Sequence, residues 1–138
     1  MTKEFLYQFI IKNKLAVLST VSGRQQPEAA LVGIAVTTDL HLVFDTVSTS
    51  RKYQNLVINP SIALVIGWDK EQTLQYEGLA KIHDPTEPDD FLETYFRIFP
   101  EGRERKATWK DLVYFHVVPK WIRYSDFNEP QRIEEMSF

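Results

Sequence analysis

Apolar residues recur at two different periods along this chain, and the change of period marks out its elements. Phe5, Leu6, Phe9 and Ile10 repeat at helical spacing between Thr2 and Asn13, which predicts an amphipathic opening helix, capped by Thr2 and packed as a lid. From Leu15 the helical period gives way to short apolar runs: LAVLSTV (15–21), EAALVGIAVTT (28–38) and HLVFDT (41–46), separated by turns at SGRQQP and around Asp39-Leu40. These predict three strands in a meander. The unbroken apolar stretch from Ala29 to Val36 predicts a strand covered on both faces, in a closed barrel or under a partner subunit, and Gly33 marks a close backbone approach.

Residues 50–58 predict a short helix with Tyr53, Leu56 and Val57 facing inward and Asn59-Pro60 as its stop. SIALVIGWD (61–69) is β-rich. In QTLQYEGLAKIHD (72–84), Leu74, Tyr76, Gly78, Ala80 and Ile82 alternate with Thr73, Gln75, Glu77, Lys81 and His83, the period of a half-buried strand. Between prolines 85, 88 and 100, the residues Phe91, Leu92, Tyr95, Phe96 and Phe99 share one face of a second helix. EGRERKATWK then reads as a charged connection, DLVYFHVV and WIRYSDF as two strands or one broken by Pro119, and residues 129–138 as a frayed tail.

Five to seven strands without βαβ alternation argue for an antiparallel barrel with flanking helices, a mainly β fold, and against a doubly wound parallel sheet. The 138 residues suit a single domain, 1–138, and 43% apolar residues with 18 aromatics supply a core. A net charge of −3, with no basic run longer than Arg51-Lys52 or Arg105-Lys106, argues against nucleic acid as a partner. No cysteine is present, so disulfides, thiolate catalysis and Cys-ligated metals are excluded. Histidines at 41, 83 and 116 are scattered, and a metal site would need distant strands to assemble it. The longest apolar run falls far short of a membrane span, and the N-terminus lacks a cleavage signature, so a cytoplasmic protein is expected.

The most informative segment is VFDTVSTSRKYQNLVINPSIALVIGW (43–68). Ser48, Thr49 and Ser50 offer caps for a helix start whose free amides favour an anion, and Arg51 and Lys52 place two cations in its first turn. This is the pattern of a phosphate seat, although a lone basic pair is more often simply solvated. Five dispersed glycines make neither a dinucleotide fingerprint nor a P-loop, so another device must hold the phosphate.

The order Phe44-Asp45-Thr46, Ser50-Arg51-Lys52, Asn55-Leu56, Asn59-Pro60, together with LAVLSTV, QPEAALVGIAV and LQYEGLAKI, resembles the pyridoxamine 5′-phosphate oxidase-like family of FMN-binding split barrels. The resemblance covers residues 5–84 and extends loosely to 127. It implies that Asp45 and Thr46 lie against the flavin ring, that the basic pair Arg51 and Lys52 holds the FMN phosphate at the helix start where Ser50 is a cofactor-binding candidate, and that Gln75 reaches the cofactor. Tyr124 lies near the family's C-terminal flavin contact. A homodimer with a flavin at each subunit boundary is also implied.

The match has departures. Ala30 and Ala35 stand where the family's oxidases carry an arginine and a lysine, and the ending FNEPQRIEEMSF has no histidine and several acids. The expectation is therefore an FMN-dependent oxidoreductase of the wider family acting on an unknown small molecule, rather than a true pyridoxamine phosphate oxidase. The rival is a non-catalytic protein that binds or sequesters flavin or haem. His116 reads first as a core or interface histidine, with a haem or proton-transfer role as the alternative. Trp109 and Trp121 read as packing residues or flavin covers. Nothing in the sequence brings Glu77 and Asp45 together as an acid–base pair.

Overall fold

The computed structural model describes residues 1–88 and 90–138. Helix α1 spans Lys3–Lys12, and the Thr2 side chain caps it by accepting from the Phe5 amide. Leu6 and Ile10 enter the core while Phe5 and Phe9 press edge-on against Tyr124. The strands are β1 (Leu15–Val21), β2 (Pro27–Gly33), β3 (Ala35–Val36), β4 (Leu42–Val47), β5 (Ser61–Ile66), β6 (Gln72–Ile82), β7 (Leu112–Asp126) and β8 (Arg132–Ser137). The remaining helices are α2 (Arg51–Ile58), α3 (Asp90–Ile98) and α4 (Gly102–Thr108).

All strand pairs are antiparallel, in the order β2-β1-β5-β6-β7-β4-β3, with β8 added to β7. The two ends of that order, β2 and β3, are consecutive in the chain. One apolar run therefore supplies both edges, and the sheet curls around a core of Leu18, Val32, Phe44, Leu64, Tyr76, Phe115 and Ile122. This is the split-barrel architecture expected. The run 28–38 is not one strand, however: it breaks at Ile34, whose amide turns to the Lys14 carbonyl at 2.8 Å, because β2 must pair with β1 and β3 with β4.

The alternation of β6 is as expected through Ala80, whereas Ile82, at the strand end, is exposed. Tyr76 Oη donates to the Leu40 carbonyl at 2.9 Å, holding the turn in which Leu40 adopts a positive φ of 67°. Strand β7 is continuous: Gly78 faces Pro119 and Glu77 faces Trp121, so Lys120 is the extra residue of a bulge. A Cβ on Gly78 would sit 2.5 Å from the Val118 carbonyl oxygen, so only glycine fits there.

A second apolar cluster lies outside the barrel, where Leu92, Tyr95 and Phe96 of α3 cover Ala35, Val43 and Tyr114. The Phe99 ring, just past α3, lies against Gly33, so the close neighbour there is a side chain and not the backbone expected. Asp89, in the stretch leading into α3, lies outside the described residues. Two further sequence readings are corrected. EGRERKATWK is not a plain connection but contains α4, and residues 129–138 are not a frayed tail, since β8 pairs with β7 from Trp121↔Ser137 to Asp126↔Arg132.

Candidate functional site

Helix α2 begins where β4 ends, and the local sequence dictates how. Ser50 is its cap: the side chain accepts from the Tyr53 amide at 3.2 Å and shares a 2.9 Å hydrogen bond with Thr46 Oγ1 on the last turn of strand. The helix stops at Asn59, followed by Pro60. Arg51 and Lys52 are thus the first two helical residues, whose amides have no acceptor within the helix. Together with Leu18, Thr20, Glu28, Ala29 and Ala30 they line a pocket of about 110 Å³.

The sequence reading missed Glu28. It lies on β2 opposite Thr20, and its Oε2 sits 3.1 Å from Arg51 Nη1. Its Oε1 accepts from Asn55 Nδ2 at 2.8 Å, and the same Asn55 nitrogen donates to Thr20 Oγ1 at 2.9 Å. Asn55 and Thr20 are buried, so this network ties α2 to β1 and β2. The available signal was Glu28 at the head of an otherwise apolar run, in phase with Ala30 and Val32.

Thr46, Ser50, Arg51 and Lys52 are brought together, whereas Asp45, Tyr124 and Gln75 stand apart from that group. Asp45 points to the opposite face of β4, where Arg105 of α4 reaches it at 3.3 Å and also donates to Tyr95 Oη. Burial first, and the Asp45 charge second, raise the Tyr95 phenol above its ordinary range and push Tyr114 up to about 12. Tyr124 is buried beneath α1, its hydroxyl donating to Asp126, at a separate cavity shared with Phe5, Phe9, Lys12 and Lys70. Gln75 lies outside both pockets that Arg51 lines. It stands on the outer sheet face in the cross-strand row Leu31, Val17, Val65, Gln75, Arg123.

That row is apolar at one end and uncovered. Leu31 is 61% exposed, and Leu15, Val17 and Val65 are exposed beside it. Of the two alanines noted in the sequence, Ala30 opens onto the Arg51 pocket, whereas Ala35 is buried under α3. His41 and His116 meet through their ring nitrogens, but among the described residues no group of three potential ligands is arranged to hold a metal ion. No helix among these residues is long and apolar enough to cross a membrane.

Curated proteins give no match to this chain. Solved structures do. General Stress Protein 26 from Bacillus anthracis is 23% identical with a TM-score of 0.71, covering 97% of this chain and 98% of that one. HutZ, the haem storage protein from Vibrio cholerae, is 15% identical with a TM-score of 0.71, covering 85% and 89%. A haem-binding protein from Mycobacterium smegmatis is 14% identical with a TM-score of 0.75, covering 99% of this chain and 58% of that one. These likenesses establish a shared fold. The profile of the pyridoxamine 5′-phosphate oxidase family matches residues 2–126, and the chain belongs to that family.

Proposed function

We propose that this protein binds FMN with the phosphate at the start of α2 and acts as an FMN-dependent oxidoreductase on a small molecule. The observation that carries this reading is that Arg51 and Lys52 line one pocket at the start of α2, where the first amides have no acceptor within the helix. A phosphate dianion suits that donor set: a guanidinium forks onto two oxygens and an ammonium adds a point charge, each contact worth about 1.5–3 kcal/mol in a sheltered site. Arg51 has the freedom to turn, its side chain being 73% exposed.

In this reading Thr46 acts by holding Ser50, and Ser50 by fixing the helix start. Asp45 contributes backbone only, because its side chain serves Arg105. Tyr124 packs α1 rather than touching the ring. Two copies pair through the face bearing Leu15, Val17, Leu31 and Val65, and Gln75 then reaches a flavin held by the partner copy. Bound FMN would supply the hydride or electron chemistry. The protein's share is to hold the phosphate, exclude water and orient the ring. A cytoplasmic setting accompanies this reading.

A non-catalytic flavin holder is the second reading, favoured by the short alanines at 30 and 35 where substrate-assisting cations would stand. Haem is less well served, because the Nε2 of His116 is engaged by His41 and Phe91 covers its ring. Anaerobic mixing of the flavin-loaded protein with NADH and NADPH separates the readings. Bleaching of the flavin band with either donor supports the oxidoreductase; an unreduced flavin with both supports the holder.

A further inference from the structure

We infer that Glu28 is a specificity-determining residue: a fixed carboxylate that competes with the ligand's phosphate for Arg51 and so lowers the seat's preference for a doubly charged phosphate over a singly charged one. The inference rests on the FMN reading above, because it concerns the same seat.

The asymmetry of the pair is what carries it. The Glu28 side chain is 17% exposed and the Arg51 side chain 73%. Asn55 anchors the carboxylate from buried ground, 6% exposed, and is itself tied to Thr20. The anion is therefore anchored by a second partner, whereas among the described residues the cation is held by the anion alone and lies mostly in solvent. Among the described residues Lys52 meets no carboxylate, so the three charges at the seat sum to +1. An incoming dianion must draw Arg51 from its 3.1 Å contact and then remain near an unpaired, partly desolvated carboxylate.

Repulsion between like charges in a sheltered site is several times what it would be in water, and it grows with the ligand's charge. A singly charged phosphate ester feels about half of it, while the gain from Arg51 and the amides falls by less, because their hydrogen bonds remain. The tie to Asn55 does not depend on the charge. Glutamine in place of Glu28 still presents a carbonyl to Asn55, so the tie between α2 and β2 survives when the charge is removed.

The test compares riboflavin, FMN and the methyl ester of FMN on the full chain, each by fluorescence quenching at pH 7.5. Glu28→Gln is expected to tighten FMN about tenfold and to leave riboflavin unchanged. Unchanged or weaker FMN binding in that variant, with Arg51→Ala/Lys52→Ala still abolishing it, overturns the inference and leaves the seat standing. Full FMN affinity in the double variant brings down the seat and the inference together. The unaltered protein gives a reading independent of any variant. With Glu28 in place, FMN and its methyl ester should bind within about threefold of each other, and a tenfold or greater preference for FMN contradicts the inference.

Discussion

His41 Nδ1 and His116 Nε2 lie 2.6 Å apart, residues from opposite halves of the chain sharing one hydrogen bond beneath α3. Phe91 closes the arrangement, its ring centroid 3.8 Å from that of His116. A 2.6 Å contact between two imidazoles needs one neutral acceptor. Burial, with His41, Lys81 and His83 adding positive charge nearby, depresses His116 to about 4, and burial also lowers His41.

A pH-dependent stability follows. Above about pH 7 His116 is neutral whether the chain is folded or not, and it contributes no pH dependence. Between about 6.5 and 4 the unfolded chain takes up a proton that the folded chain refuses, so stability falls as the pH drops. At pH 5 the loss from this group should be about 1–2 kcal/mol after allowing for its partial exposure. Urea midpoints at pH 7.5 and 5 measure it: His116→Gln should show a smaller drop than the unaltered protein, and equal drops would place the acid sensitivity elsewhere.

Gly78→Ala should destabilise through crowding at the bulge. The new methyl would meet the Val118 carbonyl oxygen at 2.5 Å and the Val117 side chain at 2.9 Å, and backbone on the longest strand must shift to admit it. A cost of about 1–3 kcal/mol is expected, lowering Tm by about 3–10 °C. Calorimetry checks it, and an unchanged Tm would mean that β6 and β7 separate freely at Pro119.

Removing the apolar character of the outer sheet should dissolve the proposed dimer. Leu31 and Val65 flank Val17 in one cross-strand row, all three exposed in the single chain. Leu31→Glu places a charge on that face, where desolvating it without a partner is costly. Sedimentation should find the unaltered protein as a dimer and the variant as a monomer. A monomeric unaltered protein would remove the proposed role of Gln75.

Elements whose stability is local were legible in the sequence. Helix α1 carries its cap and its stripe in adjacent residues, α2 has Ser50 before it and Asn59-Pro60 after it, and β6 alternates through Ala80. What escaped depends on distant partners. Helix α4 has no apolar stripe and is held by Arg105 reaching Asp45 from 60 residues away. Strand β8 is mostly exposed, so no alternation marks it; ladder bonds to β7 and the Arg123–Glu135 pair hold it. The break at Ile34 is invisible in a uniformly apolar run because two different partner strands impose it. The candidate site divides in the same way: its cap and cations are consecutive residues, whereas Glu28 joins them only through folding.

The central claim is that the start of α2 grips a phosphate, and the most direct measurement is the FMN-to-riboflavin affinity ratio of the unaltered protein beside that of Arg51→Ala/Lys52→Ala. The two ligands differ only in the group that the seat is proposed to hold. A preference for FMN of about a hundredfold or more, erased in the double variant with riboflavin binding intact, is the predicted result. Equal affinities for the two ligands, or an FMN preference that survives loss of both cations, would contradict it.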